Sequence, residues 1–355
     1  GVPTTRALSL VATGDLVMRD MFYDGHPAHE PGAVVCRVAP SFLRFGHYEI
    51  LAATDETALL DRLIEFTLAR DFPHVDGSRE QRRAQWFREI CERSAELAAH
   101  WMRIGFVHGV LNTDNMSVLG LSIDYGPYGF VEDYDPAFTP NTTDAQGRRY
   151  AYGRQPAVVH WNLARLGSAL LSQVDESDLQ AGLDRYAAHY QASARAMTAA
   201  KFGFDVLDNG DLALVQDAYE LLAASSIDYT LFFRTLAGTT IPDDFAAHAY
   251  EPKKFADAQP LLTSWLDRYA HRIRETDAAT RRARMDAANP LYLPRNWLCQ
   301  EAIEAAERGD LTPLHRLLDA TGEPYRERAG FDHQAGKRPD WARDKAGCSM
   351  LSCSS

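Results

Sequence analysis

The stretch HGVLNTDNMSVLGLSIDYG, residues 108–126, carries side chains able to handle a polyphosphate. Asn115 and Asp124 are hard oxygen donors of the kind Mg2+ takes while keeping waters and phosphate oxygens in its octahedral shell. They can act together only if the chain doubles back between them. Residues 116–121 and the apolar residues before Asp124 read as a β-hairpin that would do this. Asp114, directly before Asn115, is a carboxylate placed to accept a proton or to organise a metal. His108 reads as a hydrogen-bonded loop residue, not a catalyst. Taken alone, Asp114-Asn115 equally suits turn chemistry, since both side chains readily satisfy nearby backbone groups. The residues leave both readings open.

The spacing departs from a known pattern in an informative way. In the kinase catalytic loop, H-x-D-x-x-x-x-N, the proton-accepting Asp lies five residues before the metal-binding Asn. Here that place is Val110. A loop that keeps metal-type ligands and lacks the usual base points to altered phosphate chemistry, with Asp114 as the alternative carboxylate.

These residues must be positioned by a largely helical body. Residues 7–12 and 34–38 read as short strands separated by a loop containing Gly, His and Pro. After Pro40 the pattern turns helical. Thr54 is expected to cap a helix carrying Leu60, Leu63, Ile64 and Leu68 on one face. Ser78 and Gln81 form a capping-box pattern that opens a long helix with Trp86, Phe87, Ile90, Cys91, Leu97, Ala98, Trp101 and Met102 on one side. Residues 125–152 form a Gly/Pro/Asn/Asp-rich loop too long to be a mere connection. Further helices are predicted over 158–171, 179–200, 211–233, 261–273 and 300–306, with a short one starting at Asp310 or Thr312.

The 355 residues are 46% hydrophobic, with six Trp, fifteen Tyr and sixteen Phe, enough apolar material for a large continuous core. The net charge of −12 sets up a field that repels nucleic acid and anionic membrane surfaces. A nucleotide stays compatible, because a few arginines and a divalent cation reverse that field locally. No apolar run reaches the roughly 20 residues of a membrane span. Five scattered cysteines suit a reducing compartment better than a disulfide framework.

Longer motifs go further. RVAPSFLRFGHYE at 37–49, HGVLNTDNMSVLGLSIDYGPYGFVEDYDP at 108–136, QPAVVHWNLARL at 155–166, NPLYLPRNWLCQEAIEAAERGD at 289–310 and the terminal SCSS closely resemble the selenoprotein O family, called YdiU in bacteria. The resemblance runs almost from end to end. It implies an α+β, mainly α, protein-kinase-like fold. Residues 1–40 would be remnant strands of the amino-terminal lobe. Residues 41–355 would form the helical carboxy-terminal lobe, with a catalytic hairpin at 108–126 and an active loop at 125–152.

The activity implied is that of a pseudokinase turned protein adenylyltransferase, moving AMP from ATP to protein Ser, Thr or Tyr hydroxyls. The resemblance makes Asp114 the proton acceptor, Asn115 and Asp124 the metal ligands, and Arg37, Arg44 and Asp124 nucleotide-binding residues. The cofactors would be ATP and Mg2+, with Mn2+ as an alternative, and the partners protein substrates, without nucleic acid or membrane. A cytoplasmic location is implied for a bacterial protein and a mitochondrial one for a eukaryotic protein. The same family has a preceding region with a glycine-rich phosphate loop, a nucleotide-anchoring Lys and its Glu partner. Here the first Lys is Lys201 and no G-x-G-x-x-G precedes the catalytic segment. The chain is therefore expected to be a fragment or a truncated homologue that binds ATP weakly by itself. A kinase-type phosphotransferase and a non-catalytic kinase-like binding protein are the alternatives. Cys353 stands where the family carries selenocysteine or cysteine. With no Cys in residues 125–152, it is expected to be unpaired or bridged locally to Cys348.

Overall fold

The computed structural model describes the whole chain except residues 21–24, 239, 346, 349–350 and 352–355, so Cys353 lies outside the described residues. The chain opens with two antiparallel strands, β1 (Arg6–Arg19) and β2 (Ala28–Val38), paired from Arg6 opposite Val38 to Arg19 opposite Ala28. Both predicted strands fall inside this hairpin. Their outer halves escaped notice because Gly14, Pro31 and Gly32 interrupt the alternation, and the register shifts between Ala12 and Leu16.

Everything after the hairpin is mainly helical. Helix α1 (Phe45–Ala53) is followed by α2 (Thr57–Asp71) and the long α3 (Arg79–Ile104). The capping box at the start of α3 is present: Gln81 N donates to Ser78 Oγ, and Ser78 N donates to Gln81 Oε1 at 2.9 Å. Gly105, at φ +74°, ends the helix in a left-handed cap. The apolar stripe of α3 packs Trp86, Phe87, Ile90 and Cys91 against α4 (Gln155–Leu170) and α5 (Glu176–Phe202), forming the first core. Gly182 of α5 allows this close approach, since a Cβ there would stand 2.6 Å from the Phe87 ring.

The second core gathers α6 (Leu212–Ser225), α7 (Tyr229–Leu236), α8 (Pro252–Ile273) and α9 (Ala278–Ala288) around Phe202, Phe232, Phe233, Trp265 and Tyr269. Helices α10 (Asn296–Glu307) and α11 (Thr312–Gly322) pack on each other beside it. Between α3 and α4 the chain adds two two-residue strands, β3 (Phe106–Val107) and β4 (Gly129–Phe130), which pair with each other.

Three expectations need correction. Thr54 does not cap α2; its hydroxyl donates back to Ile50 O at 2.9 Å and closes α1, while Asp55 turns the chain at φ +56°. The helix predicted over 211–233 is two helices, because Ser226 adopts φ +52° and Asp228 starts α7 by accepting from Leu231 N at 3.0 Å. Helix α8 begins nine residues before its predicted start, at Pro252, with Pro260 inside it masking the apolar period. The predicted helices at 158–171, 179–200 and 300–306 lie within one residue of α4 or inside α5 and α10, and α11 starts at Thr312.

Candidate functional site

The segment from Phe106 to Leu111 runs largely through the interior, where each carbonyl needs a donor. Four of them receive one from a side-chain amide. Gln155 Nε2 donates to Phe106 O at 2.8 Å, Asn141 Nδ2 to Gly109 O at 3.1 Å, Asn115 Nδ2 to Val110 O at 2.8 Å, and Asn162 Nδ2 to Leu111 O at 3.0 Å. Gln155 also accepts from His108 N at 2.9 Å. Gly109, at φ +81°, has no room for a side chain: a Cβ would lie 2.2 Å from Pro127 O.

His108 is a positioning residue, as its surroundings in the sequence suggest. It is buried, and its Nε2 donates to Ile123 O at 2.9 Å, tying the loop to the residue before Asp124. Burial pushes its pKa down, against the opposing pull of that carbonyl and of the Asp124 charge, so the ring is neutral near pH 7.

The turn after Asn115 brings the chain back. Met116 and Ser122 face each other in an antiparallel bridge, and Gly120, at φ +66°, closes the turn with its N–H on Ser117 O at 3.1 Å. The predicted hairpin thus exists, with one bridge pair. Short extended segments flank it on both sides. Phe45 N donates to Met116 O at 3.0 Å, while Ser122 N donates to Pro3 O at 2.9 Å. Trp101 Nε1 pins Ser122 Oγ at 2.9 Å.

These neighbours carry the predicted residues in. Arg44, at the start of α1, points Nη1 to Asp124 Oδ2 at 3.9 Å, a loose pair between half-exposed groups. Asp124 is exposed and holds φ +57°, a left-handed conformation unusual for a non-glycine residue. Asp114 is exposed in a 3-10 turn (Thr113–Asn115), its N–H held by Asn112 Oδ1 at 3.1 Å. Its carboxylate lies so close to the start of α1 that a Cβ on Gly46 would stand 2.0 Å from Oδ1. Arg37 is placed differently. It donates to Thr5 Oγ1 and Thr5 O at 2.8 and 2.9 Å, and its guanidinium lies 4.8 Å over the ring of Tyr125, so it reaches the neighbour of Asp124 and not Asp124 itself.

A divalent cation is chemically compatible with this donor set. Asn115 Nδ2 is spent on Val110 O, which fixes the amide and turns Oδ1 into the oxygen on offer; Asp124 adds an exposed carboxylate. Among the described residues there is no group of three or more His, Cys, Asp and Glu arranged to hold a metal. Two protein oxygens completed by phosphate and water suit Mg2+ better than an all-protein cage.

Several contributors were not legible. Glu49 on α1 accepts from Thr113 Oγ1 at 2.7 Å and from Arg165 Nε at 2.8 Å, joining α1, the Asp114 turn and α4. Burial pushes the Glu49 carboxyl up, but these hydrogen bonds and the Arg165 charge outweigh it and hold it below its ordinary value. A polar amide in an apolar helix face, as at Gln155 and Asn162, was the available signal. The described end of the chain also returns here: Leu351 N donates to Pro140 O at 2.9 Å, and Thr142 N to Leu351 O at 2.8 Å. Cys348 is half-buried and free, with burial raising its thiol pKa to about 11.

Residues 1–321 match the family described as protein adenylyltransferase SelO. Similar relatives include proteins named protein nucleotidyltransferase YdiU. That of Azoarcus sp. (strain BH72) is 55% identical over 362 aligned positions, taking in 100% of this chain and 70% of the relative. That of Xanthomonas campestris pv. campestris (strain B100) is 56% identical with the same coverage, and that of Aromatoleum aromaticum is 52% identical over 100% of this chain and 69% of its own length.

Proposed function

The chain belongs to the SelO family of protein adenylyltransferases and is a nucleotidyltransferase; from that premise we propose that it transfers AMP from ATP to the hydroxyl of a protein Ser, Thr or Tyr, with Asp114 as proton acceptor. The observation that carries this reading is the meeting, around the start of α1, of the exposed Asp114 carboxylate, the fixed amide of Asn115 and the Arg44–Asp124 pair. In the step proposed, the substrate hydroxyl oxygen bonds to the α-phosphorus of ATP while its proton passes to Asp114. The bond from that phosphorus to the bridging oxygen breaks, and pyrophosphate leaves. Arg44 and Arg37 supply positive charge at the phosphates. Asn115 Oδ1 and Asp124 would hold Mg2+, which when bound supplies further charge neutralisation at the triphosphate.

In the same reading the fold is kinase-like. Residues 1–40 are strands of its amino-terminal lobe and residues 41–355 its carboxy-terminal lobe, with the hairpin at 108–126 and the loop at 125–152 facing the nucleotide. The pairing of Phe45 with Met116 and of Ser122 with Pro3 supports this, since it clamps the hairpin between the two parts. Incubation with ATP labelled in the α- or the γ-phosphate is the test. Protein labelled only from the α-phosphate agrees with AMP transfer, and labelling only from the γ-phosphate replaces it with phosphotransfer.

A further inference from the structure

Resting on the adenylyltransferase reading, we infer that the surface formed by Arg149, Arg154 and Trp161 binds an acidic peptide segment next to the target hydroxyl. The chain carries a net charge of −12, so unpaired cations in one place need a reason. Arg148, Arg149 and Arg154 are all exposed, and among the described residues none has a carboxylate within ion-pair distance. Arg149 stacks its guanidinium 4.3 Å over the ring of Trp161, which is 46% exposed, and Arg165 approaches the same ring at 6.0 Å. Arg149, Arg154 and Trp161 line an open groove of about 520 Å³ with Ala157 and Val158. Guanidinium forks over an exposed indole are suited to carboxylates on a chain whose apolar groups can rest on the ring.

The surface is built. Asp144 is buried and accepts from Arg149 N and Tyr150 N, both at 2.8 Å, so its carboxylate holds the backbone beneath the arginines and, among the described residues, makes no ion pair with them. Arg154 Nη1 donates to Gly147 O at 3.0 Å, which fixes one side of its guanidinium against the same loop. The Glu49 carboxylate, beside Arg165, is taken up by Arg165 and Thr113.

The surface is linked to the Asp114 turn through Arg165. Asn162, next to Trp161 on α4, holds Leu111 O, and Arg165, one turn further, reaches through Glu49 to Thr113, the neighbour of Asp114. A peptide lying along the exposed side of α4 with acidic residues on Arg149 and Arg154 would therefore bring flanking residues to the Asp114 turn. Basic segments would meet repulsion there, a selection by charge as much as by attraction.

The experiment uses the protein with two fluorescein-labelled dodecapeptides, each with one central serine flanked by glutamates or by lysines. Fluorescence anisotropy reads binding, and transfer from α-labelled ATP reads turnover. The glutamate peptide should bind about tenfold more tightly than the lysine peptide, with the gap shrinking as salt is raised. The double variant Arg149→Glu with Arg154→Glu should reverse the preference, and Trp161→Ala should weaken the glutamate peptide with a raised KM and a kept kcat. Reversal is a gain that a merely structural role of these exposed arginines would not produce. Equal binding of both peptides, or an oligothymidine of twelve nucleotides outcompeting the glutamate peptide on the same arginines, would overturn the inference. Charge-selective binding without any α-phosphate transfer would support the surface and count against the adenylyltransferase reading alone.

Discussion

The loop from Phe106 to Asn115 and the β1–β2 hairpin are both held by hydrogen bonds, yet they are held in opposite ways. In the loop, Gln155, Asn141, Asn115 and Asn162 each contribute an amide to one backbone carbonyl, in surroundings from which water is largely excluded. In the hairpin the backbone pairs mainly along its own ladder, with Thr13 Oγ1 adding a bond to Gly32 O at 3.1 Å, and Leu8, Leu10, Val11, Leu16, Val34 and Val35 are each 58–70% exposed. Buried polar side chains hold a conformation because leaving one unpaired is expensive. Largely exposed apolar side chains hold little, because they lose little water. The positions that define geometry in this molecule are therefore polar and interior, and the comparison can be broken at either end.

The largest effect belongs at the two oxygen donors. Asp124→Ala and Asn115→Ala should each lower Mg2+-dependent transfer from α-labelled ATP by on the order of a hundredfold or more, since each would take an oxygen donor from the proposed Mg2+ site, and that cation tolerates few substitutes. Initial rates across a Mg2+ titration are the measurement. Wild-type rates and unchanged metal dependence in both variants would place the metal elsewhere.

Next comes the interior ion pair. Arg295 Nη2 donates to Asp228 Oδ1 at 2.9 Å with both groups fully buried, and Tyr250 OH adds a bond to the same carboxylate at 2.6 Å. Burial pushes the Asp228 carboxyl up, but Arg295, Tyr250 and Leu231 N–H outweigh it and leave it below its ordinary value. A depressed folded pKa contributes stability that is present above the unfolded value of about 3.9 and lost as pH falls through the folded one. Arg295→Met should destabilise by about 3–5 kcal/mol at pH 7 by leaving a buried charge without its counter-ion. The loss should narrow at low pH, which denaturant unfolding at pH 7 and pH 3 would check. A loss independent of pH would mean that Asp228 does not titrate with folding.

A smaller effect is expected from the straps. Asn162→Leu takes the donor from Leu111 O and should cost about 1–3 kcal/mol. Gly46→Ala should leave stability nearer wild type and lower kcat, because its methyl group would displace the Asp114 carboxylate. Paired measurement of unfolding midpoints and kcat separates the two. Equal loss of stability in both variants would mean that Gly46 is there for packing alone.

How far these features were readable follows the same division. The stripe on α3 and its Ser78–Gln81 box were legible because burial follows the helical period and capping is local. The hairpin between Asn115 and Asp124 was legible from its apolar run, and the surroundings of Arg44 only from resemblance, because the chain that brings Leu43–Phe45 beside Met116 is set by tertiary pairing. Helix α9 was missed because Arg281 occupies a buried place, donating to Leu236 O at 3.1 Å, where the period calls for an apolar residue. Glu49 and Arg165 were missed for a related reason: 116 positions apart, their partnership has no local signature.

The smallest effect should come from the hairpin, and it tests the comparison most directly. Leu10→Thr and Val34→Thr keep side chains compatible with a pleated strand, so pairing along the ladder should persist. Both wild-type residues are about 60% exposed or more, which leaves little apolar area to lose. The double variant should shift the unfolding free energy by no more than about 0.5 kcal/mol, as surface substitutions usually do. At the same time, removing branched apolar groups from an exposed sheet should reduce concentration-dependent association, because edges and apolar faces of this kind recruit other chains. Denaturant unfolding and light scattering over a hundredfold range of protein concentration would measure both. A loss above about 1.5 kcal/mol, with association unchanged, would mean that something in solution covers these residues. The hairpin would then belong with the loop, among the parts that packing holds in place.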